Sequence, residues 1–136
     1  MASLTEIRKA IGEHITAETS LHCYPHLPAT VHPPCAYVEP IDQIRETAGR
    51  AFVTYRFNVV VITGIPDNVA AAESLDRFLS TSTDDSITAA FDDQTALGLE
   101  NTNSNCPGWD NYGIRSWEDG GHFLAADVQI EVHTPK

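Results

Sequence analysis

The sequence predicts an α+β fold: a mostly antiparallel or mixed sheet of about four strands, with helices packed on one face. Three observations predict it. Ala51 to Thr63 is a long stretch of strand-forming residues. Ser3 to roughly Ala17 has apolar residues at helical spacing. Phe123 to His133 alternates strictly between apolar and polar residues after a turn.

Ala51 to Thr63, AFVTYRFNVVVIT, organises the core. Phe52, Thr54, Arg56 and Asn58 fall on one side, and Val53, Tyr55, Phe57 and Val59 on the other. Val59 to Ile62 then run without a polar break. Such residues fit a pleated, half-buried surface. The alternating start predicts one wet face, and the apolar end predicts cover on both. This is the expected central strand.

In the first helix, Leu4, Ile7, Ile11 and Ile15 share the expected apolar face, while Arg8, Lys9 and Glu13 share the wet one. Ser3 followed by Glu6 is a capping-box signature. Gly12 weakens the middle by about 1 kcal/mol relative to alanine. Leu21 to Val38 holds Pro25, Pro28, Pro33 and Pro34, so it is extended rather than helical. Leu21 to Tyr24 and Cys35 to Glu39 have room for short strands, the second ending at Pro40. Ile41 to Arg50 is polar and reads as an exposed connection.

Past the central strand, Gly64-Ile65-Pro66-Asp67 is a stop followed by a helix start, with Asp67 as N-cap. Val69, Ala72, Leu75, Phe78 and Leu79 form the inward face. Asp84 or Asp85 is the expected cap of a shorter helix with Ile87, Ala90 and Phe91 inward, and Leu97-Gly98-Leu99 ends that block. Asn101 to Asn111, rich in asparagine, glycine and proline, reads as a loop. Tyr112 to Trp117 and Phe123 to His133 are the arms of a hairpin around Glu118-Asp119-Gly120-Gly121.

Composition bounds the function. The chain has 136 residues, the size of one domain, with 42% hydrophobic and 20% charged residues, so it is expected to fold by itself. The first turn carries Glu6, Arg8 and Lys9 without a long apolar run after them, so a soluble protein made inside a cell is expected, with no membrane partner. Nineteen acidic residues against 8 basic leave a formal charge of −11, which argues against tight nucleic-acid binding. Three widely spaced cysteines imply no disulfide framework.

Site chemistry is sparse. His22, Cys23, His26, His32 and Cys35 are of zinc-ligand type, but the paired-cysteine spacing is missing and three prolines restrict convergence, so no metal is assigned. No catalytic residues and no cofactor are assigned either. No Gly-x-Ser-x-Gly, His-Glu-x-x-His or phosphate-cradling loop occurs. His14 reads as a boundary residue and Cys106 as a loop thiol. Asp84-Asp85, Asp92-Asp93 and Glu118-Asp119 lack calcium-loop spacing. Trp109, Tyr112 and Trp117 group beside the polar loop, as interface aromatics or as cover for the open end of the core.

Taken together, the chain resembles the tail terminator proteins of long-tailed bacteriophages, of the actinobacteriophage type. MASLTEIRKAI is similar to the family's first helix, and AFVTYRFNVVVIT followed by AAESLDRFLS to its central strand and next helix. DDSITAAFDDQTALG is similar to its short helix and Thr-Leu-Gly turn, here interrupted by Ala96, and FLAADVQIEVHT to its closing strand. The match lies in the order of parts across most of the chain. The histidine–cysteine cluster is not part of the family pattern.

The resemblance implies a structural virion protein and not an enzyme. It implies a tail-terminator fold and a homo-hexameric ring that caps the tail tube and ends its polymerisation. The ring also offers the head-joining surface. The implied partners are other copies of the chain, the tail tube protein and a neck or head-completion protein. DNA passes through without specific binding. The implied place is the head-proximal end of the tail, after assembly in the host cytoplasm. The acidity fits independently, since carboxylates around a lumen repel phosphate. Candidate interface residues are Asp42, Arg45 and Glu46 in the connection, and Trp109, Tyr112 and Trp117. The alternatives are a neck or head-completion connector, a small zinc-dependent enzyme using His22, His26, His32 and Cys35, and a monomeric binding module.

Overall fold

The computed structural model describes residues 3–45, 52–65, 68–81, 84–91, 95–99, 102–117 and 121–135. The elements in order are α1 (Leu4–Glu18), β1 (His22–Tyr24), β2 (Cys35–Arg45), β3 (Phe52–Gly64), α2 (Val69–Leu79), α3 (Ile87–Ala90), β4 (Thr95–Ala96), β5 (Asn103–Ser116) and β6 (His122–Pro135). The fold is α+β. Among the described residues the sheet has six strands, ordered β1-β2-β3-β6-β5-β4, where about four were expected. β1 falls within the segment Leu21 to Tyr24 that has room for a short strand, and the two-residue β4 is the unexpected addition. β1 runs parallel to β2, and every other pairing is antiparallel.

Alternation along β3 builds two cores. Phe57, Val59 and Val61 join Val38 of β2 and Ala126, Val128, Ile130 and Val132 of β6 in the larger cluster. Onto this pack Ile7, Ile11 and Ile15 of α1, Leu75, Phe78 and Leu79 of α2, and Ile87 with Phe91. A fully buried side chain such as Phe57 contributes roughly 2–3 kcal/mol. The opposite residues, Val60 and Ile62, join Val31, Cys35, Tyr37 and Ala125 in a smaller cluster flanked by Tyr24, Trp117 and Phe123. The apolar end of β3 is thus covered on both faces, as its composition predicts.

The helix ends are set by side-chain caps. Ser3 Oγ accepts from Glu6 N at 3.1 Å, and Glu6 Oε1 accepts from Ser3 N at 3.3 Å, completing the capping box. Helix α2 is capped by Asn68, which accepts from Ala70 N at 2.9 Å, and not by Asp67, which lies outside the described residues. Helix α3 is capped by Ser86 rather than Asp84 or Asp85. Asp85 instead accepts from Ser20 N and pairs with Arg77 at 3.2 Å. Leu4 and Val69, expected inward, are the first residues of their helices and are exposed; Ala71 is buried instead. Arg8 is not on a wet face: its guanidinium donates to Pro25 O and Val38 O, tying α1 to the β1 end of the sheet.

Two expected loops are strands. Ile41–Arg45 continues β2 past Pro40, because a bulge between Pro40 and Asp42 absorbs the proline. The expected connection beyond it, Glu46 to Arg50, lies outside the described residues. Asn103 to Asn111 belongs to β5, whose register shifts between Asn105 and Gly108 and again between Asp110 and Gly113. The proline, glycine and asparagine that signal a loop sit at these bulges, where Asn111 takes φ 54. The two arms of the hairpin pair as expected, with Ser116 opposite His122, while Glu118, Asp119 and Gly120 of its expected turn lie outside the described residues. Its polar-position residues are drier than alternation predicts, since Ala125 and Asp127 are buried.

Candidate functional site

The bulge of β5 carries the most developed surface chemistry. Asn111 Nδ2 donates to Asp127 Oδ2 at 3.0 Å. Arg115 donates to Asp127 Oδ1 at 2.6 Å and to Asn111 O at 3.1 Å. Asp127 and Arg115 therefore pin the left-handed Asn111 between them, with the buried Asp127 neutralised by its arginine. The pinned backbone carries Tyr112 to α2, where its hydroxyl donates to Asp76 Oδ1 at 2.9 Å. Burial, and then this carboxylate, push the Tyr112 hydroxyl above its ordinary pKa.

Trp109 stands beside Tyr112, their ring centroids 6.0 Å apart and tilted by 53°. Trp109 is 46% exposed and Tyr112 39%. Trp109, Asp76, Leu79 and Ser80 line an open notch of about 320 Å³ between β5 and α2. Two of the three expected interface aromatics are thus brought together. Trp117 is not with them. It is half-buried against Phe123 at 5.8 Å, in the smaller core cluster, and its hydrogen bond to Tyr37 opposes the upward push of burial on that phenol.

The polar candidates are elsewhere. Asp42 and Arg56 form a two-pronged pair on neighbouring strands, with Arg56 Nε 2.6 Å from Asp42 Oδ1. The guanidinium's hydrogen bonds hold the Asp42 carboxyl below the usual range. Both side chains are exposed. Arg45 stands opposite Val53 at the end of β2, and Glu46 lies outside the described residues.

The histidine–cysteine cluster does not converge. Cys23 is buried in the larger core and Cys35 in the smaller, on opposite faces of the sheet. His22, His26 and His32 are exposed, and His22 rests edge-on to Tyr24 at 4.3 Å. Among the described residues no group of three or more histidine, cysteine or acidic side chains is placed to hold a metal ion. Burial, with a smaller contribution from Cys35, pushes the Cys23 thiol up to about 12. Burial pushes Cys106, in the β5 bulge, up to about 11. His14 is fastened by Nε2 to Ala90 O at 2.6 Å and so joins α1 to α3.

A cross-strand chain of polar groups was not legible in the sequence. Thr54 Oγ1 lies 2.8 Å from His133 Nδ1, and His133 Nε2 lies 3.1 Å from Asn105 Oδ1. Asn105 Nδ2 reaches Glu131 Oε1 at 3.4 Å. An amide oxygen only accepts, so Nε2 donates to Asn105 Oδ1. Thr54 is buried, which suits a tie across β3, β6 and β5 better than attack on a substrate. The residues are far apart in sequence, and only the strand register unites them.

No described helix is long and apolar enough to cross a membrane. The chain matches no protein-family model and no curated protein.

Proposed function

We propose that the chain is a structural virion protein of a long-tailed phage, a tail terminator that caps the tail tube as a homo-hexameric ring. In this reading it ends tube polymerisation and offers the head-joining surface, with DNA passing through unbound. The observation that carries the reading is the order of parts. MASLTEIRKAI leads into α1, AFVTYRFNVVVIT from Phe52 onward lies in β3, AAESLDRFLS forms most of α2 and FLAADVQIEVHT lies in β6. These are the element types the resemblance implies, in the implied order. The finer architecture, a tail-terminator fold with α1, α2 and α3 covering a single sheet face, belongs to the same proposal. It is supported by the shared core of the three helices with one set of strand residues.

Charge supports it too. At −11 per chain, a ring concentrates carboxylates around its channel, where they repel the phosphates of transiting DNA. The surface aromatics Trp109 and Tyr112 supply contact area suited to neighbours. The working site is the finished virion, at the head-proximal end of the tail.

The test mixes the purified chain with tail tubes of the phage that carries it, viewed by negative stain. Binding confined to tube ends, with elongation stopped, is the expected result. Binding along the sides, or none, overturns the reading. Attachment to the neck complex alone favours the connector alternative. A monomer holding one zinc per chain in native mass spectrometry favours the enzyme alternative.

A further inference from the structure

The geometry points to a recognition site: the notch between Trp109 and Asp76 takes an arginine side chain presented by an extended segment of a partner protein. The inference stands apart from the ring reading. One wall is the half-exposed indole of Trp109, the other the Asp76 carboxylate on α2, and Leu79 and Ser80 complete the lining. An aromatic face with a nearby carboxylate attracts a cation twice, through the ring quadrupole and through charge. The planar guanidinium suits both walls, because it stacks on indole and presents a fork to a carboxylate. Tyr112 holds the carboxylate in place through one oxygen, and a carboxylate offers about four lone-pair sites, so capacity remains.

Charge argues for the same occupant. Glu73, one helical turn before Asp76, is exposed, and the whole chain is strongly acidic. The neighbouring cation of α2, Arg77, is engaged with Asp85 and lies over the Phe78 ring at 5.4 Å from its centroid.

Shape argues for a protein segment rather than a small molecule. The notch, about 320 Å³, is open and at the lower end of the ~300–1,000 Å³ of small-molecule pockets. It admits one side chain. Trp109 pairs with Val128 and Ile114 with Leu124, and both partners belong to the larger core, so Trp109 and Ile114 share a face of β5. Ile114 is 64% exposed and extends apolar surface beyond the notch for residues flanking the arginine. The bulge clamp of Asp127, Arg115 and Asn111 fixes the backbone between them.

The test uses the full chain and the pentapeptide acetyl-Gly-Gly-Arg-Gly-Gly-amide, followed by NMR of the tryptophan indole N–H signals. A second peptide carries citrulline, which keeps the shape and lacks the charge. The expected result is a saturable shift of the Trp109 signal, with the citrulline peptide binding about tenfold more weakly. Asp76→Asn keeps an acceptor for Tyr112 and removes the charge, so it too should weaken binding about tenfold. Trp109→Ala removes that reporter, so it is read on the backbone amide signals of Asp76 and Leu79, whose response to the peptide it should abolish. Glu13→Gln on α1 should change nothing. Equal binding of both peptides overturns the proposal. So does equal weakening by Glu13→Gln, which would mean diffuse attraction to an acidic chain. A response at Trp117 in place of Trp109 also overturns it. Self-association lost in Trp109→Ala, without any peptide response, would replace it with a contact between copies.

Discussion

Gly12 of α1 packs directly on the backbone of Cys23 in β1: a methyl group added at Gly12 would come within 3.0 Å of the Cys23 carbonyl oxygen. The contact brings the helix down onto the rim of the sheet, next to the Thr16 hydroxyl that accepts from Cys23 N at 3.1 Å. Gly12→Ala in a free helix would gain about 1 kcal/mol. Here the obstacle is backbone, which gives way poorly, and overpacking costs about 1–3 kcal/mol. The variant should therefore gain nothing from its better helix propensity and lose up to about 2 kcal/mol, read from the midpoint of urea unfolding.

Arg115→Ala should be among the more damaging surface changes. It takes the charged partner from the buried Asp127 carboxylate, leaving it Asn111 Nδ2, and frees the Asn111 carbonyl. A lost hydrogen bond to a buried charge costs about 1.5–3 kcal/mol, and a loss near the upper value is expected by chemical denaturation. Asn111→Gly should cost less, since glycine accepts the left-handed conformation that Asn111 adopts at φ 54.

The Tyr112 phenol should titrate above an ordinary tyrosine in an alkaline absorbance or NMR titration. A raised phenol pKa favours the neutral folded form. The contribution is present below the unfolded value near 10 and fades as pH rises through the folded one. Asp76→Asn removes the charge that repels phenolate, so the Tyr112 midpoint should fall. An unchanged midpoint would mean that burial alone sets it.

The thiols should be sluggish. With Cys23 near 12 and Cys106 near 11, the thiolate fraction at neutral pH is far below that of a free cysteine. Reaction with a disulfide reagent on the folded chain should be slower than for a free thiol by about two orders of magnitude. Cys106 should react first, being only half-buried, and unfolding should release all three thiols at once.

Periodicity made the core legible. Ile7, Ile11, Ile15, Phe57 and the alternating apolar positions of β6 are all buried as their spacing predicts. What stayed hidden has one common cause: local chemistry was read without its tertiary partner. Pro40, Pro107 and Asn111 are loop-formers by composition, yet bulges accommodate them in strands because β3 and β6 supply the register. Arg8 looks solvated on a helical wheel, and only the fold brings Pro25 O and Val38 O within its reach. In the notch, Trp109 and Tyr112 could be singled out as aromatics near a polar stretch. Asp76, on a helix more than thirty residues earlier, carries no local sign that it faces them.

The two rims of the sheet are alike in a way that bears on assembly. Among the described residues, β1 shields β2 only as far as Tyr37, and β4 shields β5 only at Asn103 and Ser104. Beyond those points each outer strand contains a proline and a register shift, Pro40 on one side and Pro107 on the other. A missing amide donor and a kinked backbone make poor templates for another chain's main chain. Copies of this protein are therefore discouraged from fusing into one continuous ribbon, and neighbours that do gather must recognise one another by side chains.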